Sequence, residues 1–284
     1  APILGILGKA IGALLANQVG SGLGTLAGEV LSVSDIGIPL ATPGRAALVP
    51  ANVAKFAEGL DVSEDDVLLY LALREAAHQR LFAGVPWLRD HVLGAVTDYA
   101  QGLEVNVESI QRRVEEQMQG IDPSTLGNPD SMQQLLDSGM FELPDSPAQK
   151  AALSRLEVVL ALVEGWVDEV VGQATAERMP SAGKLQEAFR RRRAAGGPAE
   201  QTFASLVGLE LRPRRLRDAS TLWGSLRTRQ GTEARDGVWM HPHLLPTDAD
   251  LDDPLGFRED AGAPDELSED DFDAGLRALL DEDD

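Results

Sequence analysis

The chain of 284 residues contains no cysteine, and this absence removes three kinds of chemistry from consideration. Disulfide cross-links, thiolate metal sites and a cysteine nucleophile all require that residue. Histidine is also scarce, with four residues in the whole chain, so a metal site has few imidazoles to draw on. The chain does not open on the charged, apolar and small-residue pattern of a cleavable signal, which predicts a cytoplasmic protein.

Aromatic residues are the second shortage, at 5% of the chain. The hydrophobic content of 43% is nevertheless enough to build a core, and alanine, leucine and glycine dominate it. Because these residues favour helices over sheets, we expect a mainly α fold with little β-structure. The length allows one large domain, which we place at residues 1–247.

Basic residues are too few for a nucleic-acid interface, because binding to phosphates requires a basic face. The formal net charge is −21. Residues 248–284 hold 16 acids against Arg258 and Arg277, whereas residues 1–247 hold 30 acids and 23 bases. We therefore expect no nucleic-acid partner. We interpret residues 248–284 as an acidic, largely flexible tail, with one short helix at 269–280.

Small residues recur every four positions between Gly8 and Gly28, in a glycine-rich segment that we expect to be helical over residues 1–31. On a helix this spacing forms a groove that another backbone can approach closely. The groove suits a homo-oligomer interface, a membrane helix or tight packing inside the fold. Polar residues at positions 17, 18 and 21 interrupt the apolar run, so the sequence argues against the membrane.

Residues 74–78 read Arg-Glu-Ala-Ala-His, which is the zinc-protease motif His-Glu-x-x-His with its first histidine replaced. In the complete motif, two histidines four residues apart bind zinc from one helix face, and the glutamate is the general base. Glu75 and His78 match those positions. Arg74 does not, because a guanidinium is permanently protonated and offers no lone pair to a metal.

Apolar periodicity places this motif in a predicted helix that starts after Ser63 and runs to Ala83. We predict the other helices from an Asn52 cap to Leu60 and at residues 87–104, 107–118, 131–136, 147–179, 184–195, 202–209 and 214–230, with an edge strand at 36–40. The helix at 147–179 places Glu157, Glu164 and Asp168 on one stripe beside its apolar face.

Several further stretches are distinctive: Pro86-Trp87-Leu88 and residues 162–171, 190–193, 202–215 and 238–246. Together with the motif, they resemble the actinobacterial zincin-like metallopeptidases of the second type, over about residues 20–257. Some members of that family are associated with the biosynthesis of deazaflavin coenzymes. The resemblance implies a zincin-like helical core in which the Glu75 and His78 helix packs on the Glu164 helix.

The resemblance also implies a third zinc ligand, the glutamate of a Glu-Gly-His-x-Asp segment. Residues 164–168 of this chain read Glu-Gly-Trp-Val-Asp. Glu164 therefore matches the ligand, Trp166 replaces the histidine, and Asp168 matches the final aspartate. Of the three expected ligands, His78 and Glu164 survive, and we place Trp166 and Asp168 in the layer of residues around them.

Arg74 leaves two interpretations of this site. In the first, His78 and Glu164 still hold zinc, and an unrecognised third ligand completes the site, with His241 and His243 the first candidates. In the second, no cofactor is needed, because the charge of Arg74 replaces the metal and pairs with Glu164. The second is favoured, because a buried carboxylate without a partner is costly and a forked guanidinium fits it well.

Three functions follow. The leading hypothesis is a metallopeptidase homologue with an incomplete zinc site, acting as a non-catalytic binding or scaffold protein for a peptide, a protein or a small molecule. The second is an active zinc-dependent hydrolase with Glu75 as its general base. The third is a small-molecule binding module in the former active-site cleft, where Arg74 holds an anionic group.

The basic residues concentrate in one region: the run at residues 190–193 with Arg212, Arg214, Arg215 and Arg217. They could form an anion site or a docking site for the acidic tail. The favoured interpretation is a solvated helix face with structural ion pairs.

Overall fold

The computed structural model describes residues 20–39, 41–99, 147–194 and 214–258. These ranges are mainly helical and contain no strand, which confirms the mainly α prediction. Their β-structure amounts to one isolated antiparallel bridge between Ser32 and Leu48. The edge strand predicted at 36–40 is wrong for the residues described, because the Gly37 N–H turns back to Ser34 O at 2.9 Å and Gly37 has a φ of 77°.

The helices are α1 (described over residues 20–29), α2 (Pro50–Ala57), α3 (Glu64–Gly84), α4 (residues 88–99), α5 (Pro147–Thr175), α6 (Ala182–Ala194), α7 (Arg214–Gly237) and α8 (Asp248–Asp252). Two 3-10 turns, Val238–Met240 and Pro242–Leu244, connect α7 to α8. No helix within these described ranges combines the length and apolarity needed to cross a bilayer.

Helix α3, which carries the motif, begins and ends nearly where the sequence predicts. The hydroxyl of Ser63 accepts a hydrogen bond from the N–H of Asp66 at 3.2 Å, and acids occupy the first turn. Both features stabilise the positive end of a helix. The helix ends at Gly84, before Pro86.

The predicted cap of α2 is wrong. Val49 is the N-cap and Pro50 the first helical residue, a position where the missing N–H of proline costs nothing. Asn52 lies inside the helix and donates to the carbonyl oxygens of Ala27 and Val30 at 3.0 and 2.7 Å. Its amide therefore ties α1 to α2 rather than starting α2.

Helix α5 runs through the centre of the core and contacts α3, α6 and α7. Its residues Leu156, Leu162, Val163 and Val167 are fully buried. The contact with α7 is very close at Gly165: a Cβ there would lie 2.6 Å from Ala219 Cβ and 2.7 Å from the nitrogen of Ser220. Glycine is therefore required for the two helix backbones to approach each other.

The ends of α5 and α7 differ from the prediction, and α2 also ends at Ala57 rather than at Leu60. Helix α5 stops at Thr175 rather than at 179, and the Thr175 hydroxyl bonds back to Val171 O at 2.7 Å. Helix α7 was predicted to end at 230 but continues to Gly237 across a break at Gly231, whose φ of 89° is left-handed. Such a φ suits glycine and interrupts the helical ladder, which is why the periodicity ended there.

The acidic segment, for which the sequence predicts a largely flexible tail from residue 248, begins with the short helix α8. Thr247 and Asp250 form a capping box at the start of α8, and Leu251 is buried. Arg215 of α7 pairs with Asp248 at 2.8 Å and with Asp252 at 2.5 Å. Residues 259–284, with the predicted helix at 269–280, lie outside the described residues.

Other sequence predictions also fall outside the described residues. They are most of the glycine-spaced segment at 1–19, the helices predicted at 107–118, 131–136 and 202–209, and Arg212.

We expect the substitution Gly165→Ala to lower the free energy of unfolding by about 1–3 kcal/mol, because the added methyl overlaps α7. Gly94→Ala is the matched control, since a Cβ at this position of α4 meets nothing within 4 Å. The control should be neutral or stabilising by up to about 1 kcal/mol, the difference in helix propensity. Urea denaturation measures both changes, and equal effects would contradict the close packing of α5 on α7.

Candidate functional site

The motif helix and the Glu164 helix meet in a buried charge cluster to which α6 also contributes. Its members are Arg74 and His78 of α3, Glu164 and Asp168 of α5, and Arg190 and Arg193 of α6. The side chains from α3 and α5 are at most 4% exposed. Charged groups this deeply buried must compensate one another, because each has lost its hydration.

Arg74 contacts both carboxylates of the cluster. Its Nη2 donates to Glu164 Oε2 at 2.7 Å, and its Nη1 lies 3.6 Å from Asp168 Oδ1. The two acids stand four residues apart, so they project from the same face of α5. The guanidinium carbon lies 4.0 Å from the ring centroid of Phe189, a cation–π contact on the opposite helix α6.

His78 presents both ring nitrogens to oxygen acceptors. Nδ1 lies 2.9 Å from the carbonyl oxygen of Arg74, and Nε2 lies 2.8 Å from Glu164 Oε1. A carbonyl and a carboxylate both accept hydrogen bonds, and a ring nitrogen that carries a proton donates to its partner. Both ring nitrogens thus already have oxygen partners within the chain.

A second arginine that the sequence did not single out as a site residue completes the surroundings of Glu164. Arg193 Nη2 lies 3.2 Å from Glu164 Oε1, and its side chain is 10% exposed. The other arginines of its run also pair within the chain: Arg190 with Asp168, Arg191 with Glu187, and Arg192 with Asp35. Structural ion pairs are therefore confirmed for this run, but the predicted solvated face holds only for Arg191, which is 79% exposed. The pairs of Arg215 with Asp248 and Asp252 match the alternative of a docking site for the acidic segment.

The charges around Glu164 determine its protonation. Burial alone would raise the pKa of its carboxyl, but the charges of Arg193, His78 and Arg74 and the hydrogen bond from His78 outweigh that effect. Together they lower the pKa of Glu164 from 4.5 to about 2. The carboxylate is consequently ionised at any physiological pH.

Glu75, the predicted general base, is held by different partners. Its carboxylate accepts from Gln79 Nε2 at 2.8 Å, from Ser34 N at 3.3 Å and from Ser34 Oγ at 3.4 Å. No ion pair among the described residues joins Glu75 to the buried charge cluster. Neutral donors thus hold it between α3 and the segment that follows α1.

That segment, residues 31–38, covers the buried charge cluster. Gly37 lies directly against Glu164, because a Cβ at this position would be 3.3 Å from Glu164 Oε1. Asp35 accepts from the N–H of Leu31 at 2.9 Å and from Arg192 at 3.2 Å, which fixes the segment to α6. In the sequence, only the helix-breaking residue Gly37 pointed to a segment that covers the buried charge cluster.

Three other predicted site residues lie elsewhere. Trp166 Nε1 donates to Asp236 Oδ1 of α7 at 2.8 Å, so the indole group contacts α7 rather than the buried charge cluster. His241 and His243 stack on each other at 4.9 Å on the exposed 3-10 turns. These two histidines therefore do not provide the buried cluster with a third ligand.

The buried charge cluster does not fit a zinc ion. Tetrahedral zinc bonded to nitrogen and oxygen at about 2 Å holds those two atoms roughly 3.3 Å apart. His78 Nε2 and Glu164 Oε1 are 2.8 Å apart, which is a hydrogen-bond distance. Two guanidinium groups also contact the same carboxylate. Their charges occupy the position where a divalent cation would neutralise it.

Comparison with known proteins agrees with this architecture. The chain matches the model of a family of zincin-like metallopeptidases over residues 1–257. A solved structure from Chloroflexus aurantiacus, described as a "putative hydrolase with a novel fold", shares the fold with a TM-score of 0.58. The two chains are 22% identical, and the match covers 90% of this chain and 70% of the other. No curated protein is significantly similar in sequence.

We expect Arg74→Met to destabilise the protein by about 3–5 kcal/mol, because it leaves Glu164 and Asp168 short of a buried positive charge. The control is Arg191→Met, whose pair with Glu187 is largely exposed and should cost less than about 1 kcal/mol. Chemical denaturation measures both. The double variant Arg74→Met/Glu164→Gln should recover part of the loss, and strict additivity would contradict a direct pair.

The lowered pKa of Glu164 also predicts a pH dependence. A carboxyl whose pKa is lower in the folded state stabilises fully above its unfolded pKa and loses that contribution as pH falls. The shift from 4.5 to about 2 corresponds to roughly 3 kcal/mol. Between these pH values the wild type should therefore lose stability more steeply than Glu164→Gln. The exposed control Glu177→Gln should follow the wild type, and parallel curves for wild type and Glu164→Gln would contradict the prediction.

Proposed function

The chain belongs to the zincin-like metallopeptidase family, and from this premise we propose that it is a member whose zinc site has been replaced by an arginine–carboxylate cluster. In this proposal it hydrolyses no peptide and acts as a binding or scaffold protein. We place it, from the resemblance of its sequence, in the actinobacterial branch of the family.

The observation that carries the proposal is the position of Arg74. Its guanidinium contacts Glu164 and Asp168 at the place where the family motif has a histidine. An arginine cannot coordinate zinc, and here its charge neutralises the glutamate that the resemblance assigns as a zinc ligand. Arg193 adds a second positive charge to the same carboxylate.

Access to the site supports the same conclusion. A general base must come within hydrogen-bond reach of a water molecule or a substrate. Glu75 is 2% exposed, and its carboxylate already accepts from Ser34 and Gln79. The segment 31–38 separates this region from solvent, because Ser34, Asp35 and Ile36 are all buried.

The alternative of an active zinc hydrolase requires a third ligand. No group of three histidines, aspartates or glutamates suited to a metal occurs within the described ranges. All four histidines fall in those ranges, and His78 is the one that contacts the buried charge cluster. His91 packs edge-on against Trp87 instead. The chemistry of the donors thus favours the non-catalytic proposal.

The third hypothesis gave Arg74 the task of holding an external anion. Its guanidinium already faces two carboxylates of its own chain, and the side chain is 4% exposed. An external anion would have to displace one of these carboxylates and leave it unpaired. We therefore do not assign the binding role to Arg74.

Zinc content tests the proposal. We expect far less than one zinc per chain by mass spectrometry in protein purified without chelator or metal-affinity resin, even after incubation with zinc and desalting. Stoichiometric zinc that is lost in His78→Ala and retained in His91→Ala would overturn it.

Hydrolysis provides the second readout of the same proposal. With fluorescein-labelled casein as the probe, wild type and Glu75→Gln should both remain at the background rate with zinc present. Zinc-dependent cleavage by the wild type that disappears in Glu75→Gln would restore the enzyme hypothesis.

A further inference from the structure

The side of α3 that faces away from the buried charge cluster is apolar. Leu68 and Leu69 on this side are 47% and 52% exposed. Ala72, Ala76 and Ala83 continue the same side toward the end of the helix, and all three are exposed. Because positions three, four and seven residues apart share one side of a helix, these five residues form a strip, which we call the α3 apolar face.

Helix α3 is therefore apolar on two opposite sides. Its other side carries Val67, Tyr70, Leu71 and Leu81, all of which are buried in the core. A surface helix normally has polar residues on its outer side, and a helix that is apolar all round is normally covered. The α3 apolar face has no such cover within the described ranges, since its leucines are each about half exposed. It therefore suits contact with another surface.

The two ends of the α3 apolar face carry opposite charges. Glu64 and Asp65 lie in the first turn of α3, and Arg80 lies about one turn before its end. All three side chains are exposed, and none of them forms an ion pair or a side-chain hydrogen bond with another residue in the described part of the chain. At 1.5 Å per residue, Asp65 and Arg80 lie roughly 22 Å apart along the helix axis. They are too far apart to pair within one helix.

A twofold axis makes this strip complementary to itself. When two copies of α3 pack antiparallel about an axis near Ala72, Asp65 of each copy lies opposite Arg80 of the other. The two leucines of each copy then face Ala76 of the other, and the small alanine side chains allow the helices to approach closely. The helix dipoles also run in opposite directions, which is a favourable arrangement.

We propose that the α3 apolar face is the interface of a homodimer, in which two copies of α3 lie antiparallel across a twofold axis near Ala72. The occupant is a second copy of this chain, because the charges at the two ends of the strip complement each other under that symmetry. One helix from each subunit makes a small interface, so we expect a Kd in about the micromolar range. The dimer does not rest on the proposed function, because Arg74 and His78 are buried on the opposite side of α3.

Sedimentation velocity over a concentration series measures the dimer. The wild type should shift from monomer to dimer as its concentration rises. Leu69→Glu should weaken the association about a hundredfold or more, because the symmetry places two charges in an apolar interface. Leu23→Glu is the matched control: it is the same change at a leucine of α1 that is 55% exposed, and it should dimerise as the wild type does. Circular dichroism checks that each variant is folded.

Exchanging the charges tests the antiparallel arrangement. Asp65→Arg brings like charges together at both ends of the dimer, and Arg80→Asp does the same, so each variant alone should associate about tenfold more weakly than the wild type. An equal mixture of the two variants again places opposite charges at both ends and should form a heterodimer with about the affinity of the wild type. A substitution that merely damages the fold would not be rescued by mixing.

Three results would each overturn the proposal. A single monomeric species at all concentrations up to about 500 μM would leave the α3 apolar face to a different protein. A dimer that is lost in Leu23→Glu and kept in Leu69→Glu would place the interface on α1 instead. Charge variants that dimerise no better when mixed than alone would reject the antiparallel pairing of Asp65 with Arg80.

Discussion

The buried carboxylate of Glu164 is the constraint on which the described structure depends. Because it is buried in the centre of α5, the carboxylate must be stabilised by positive charges and hydrogen bonds, or else it would take up a proton. Arg74 and His78 of α3 and Arg193 of α6 keep it ionised, with contacts of 2.7, 2.8 and 3.2 Å. Three helices are therefore joined at one residue, and none of them can move without leaving a buried charge without a partner.

In the proposed function, the packing around this charge explains how a zincin-like scaffold keeps its fold without zinc. A zinc site joins helices through coordinate bonds to one divalent cation. Here two guanidinium groups supply positive charge to the same carboxylate, and hydrogen bonds supply the directionality. The apolar framework is independent of that exchange: Leu156 and Leu162 are fully buried, and Gly165 sets the approach of α5 to α7.

The motif region is closed to solvent in the described structure. Segment 31–38 closes the motif region, with Gly37 against Glu164 and Ser34 against Glu75.

The sequence by itself determined that the chain is helical, that α3 starts after Ser63, and that Arg74 cannot be a metal ligand, since these follow from local propensity and side-chain chemistry. It also predicted the pairing of α3 with α5, through the resemblance carried by the motif and residues 162–171. Only the tertiary structure decided which charges meet. Nothing in the local sequence of residues 190–193 indicates that Arg193 pairs with Glu164 rather than facing solvent. The direction of each side chain depends on how α6 packs against the other helices. Trp166 is the opposite case. Its position in residues 164–168 predicted a place beside the site, but the orientation of α5 points its indole group toward α7.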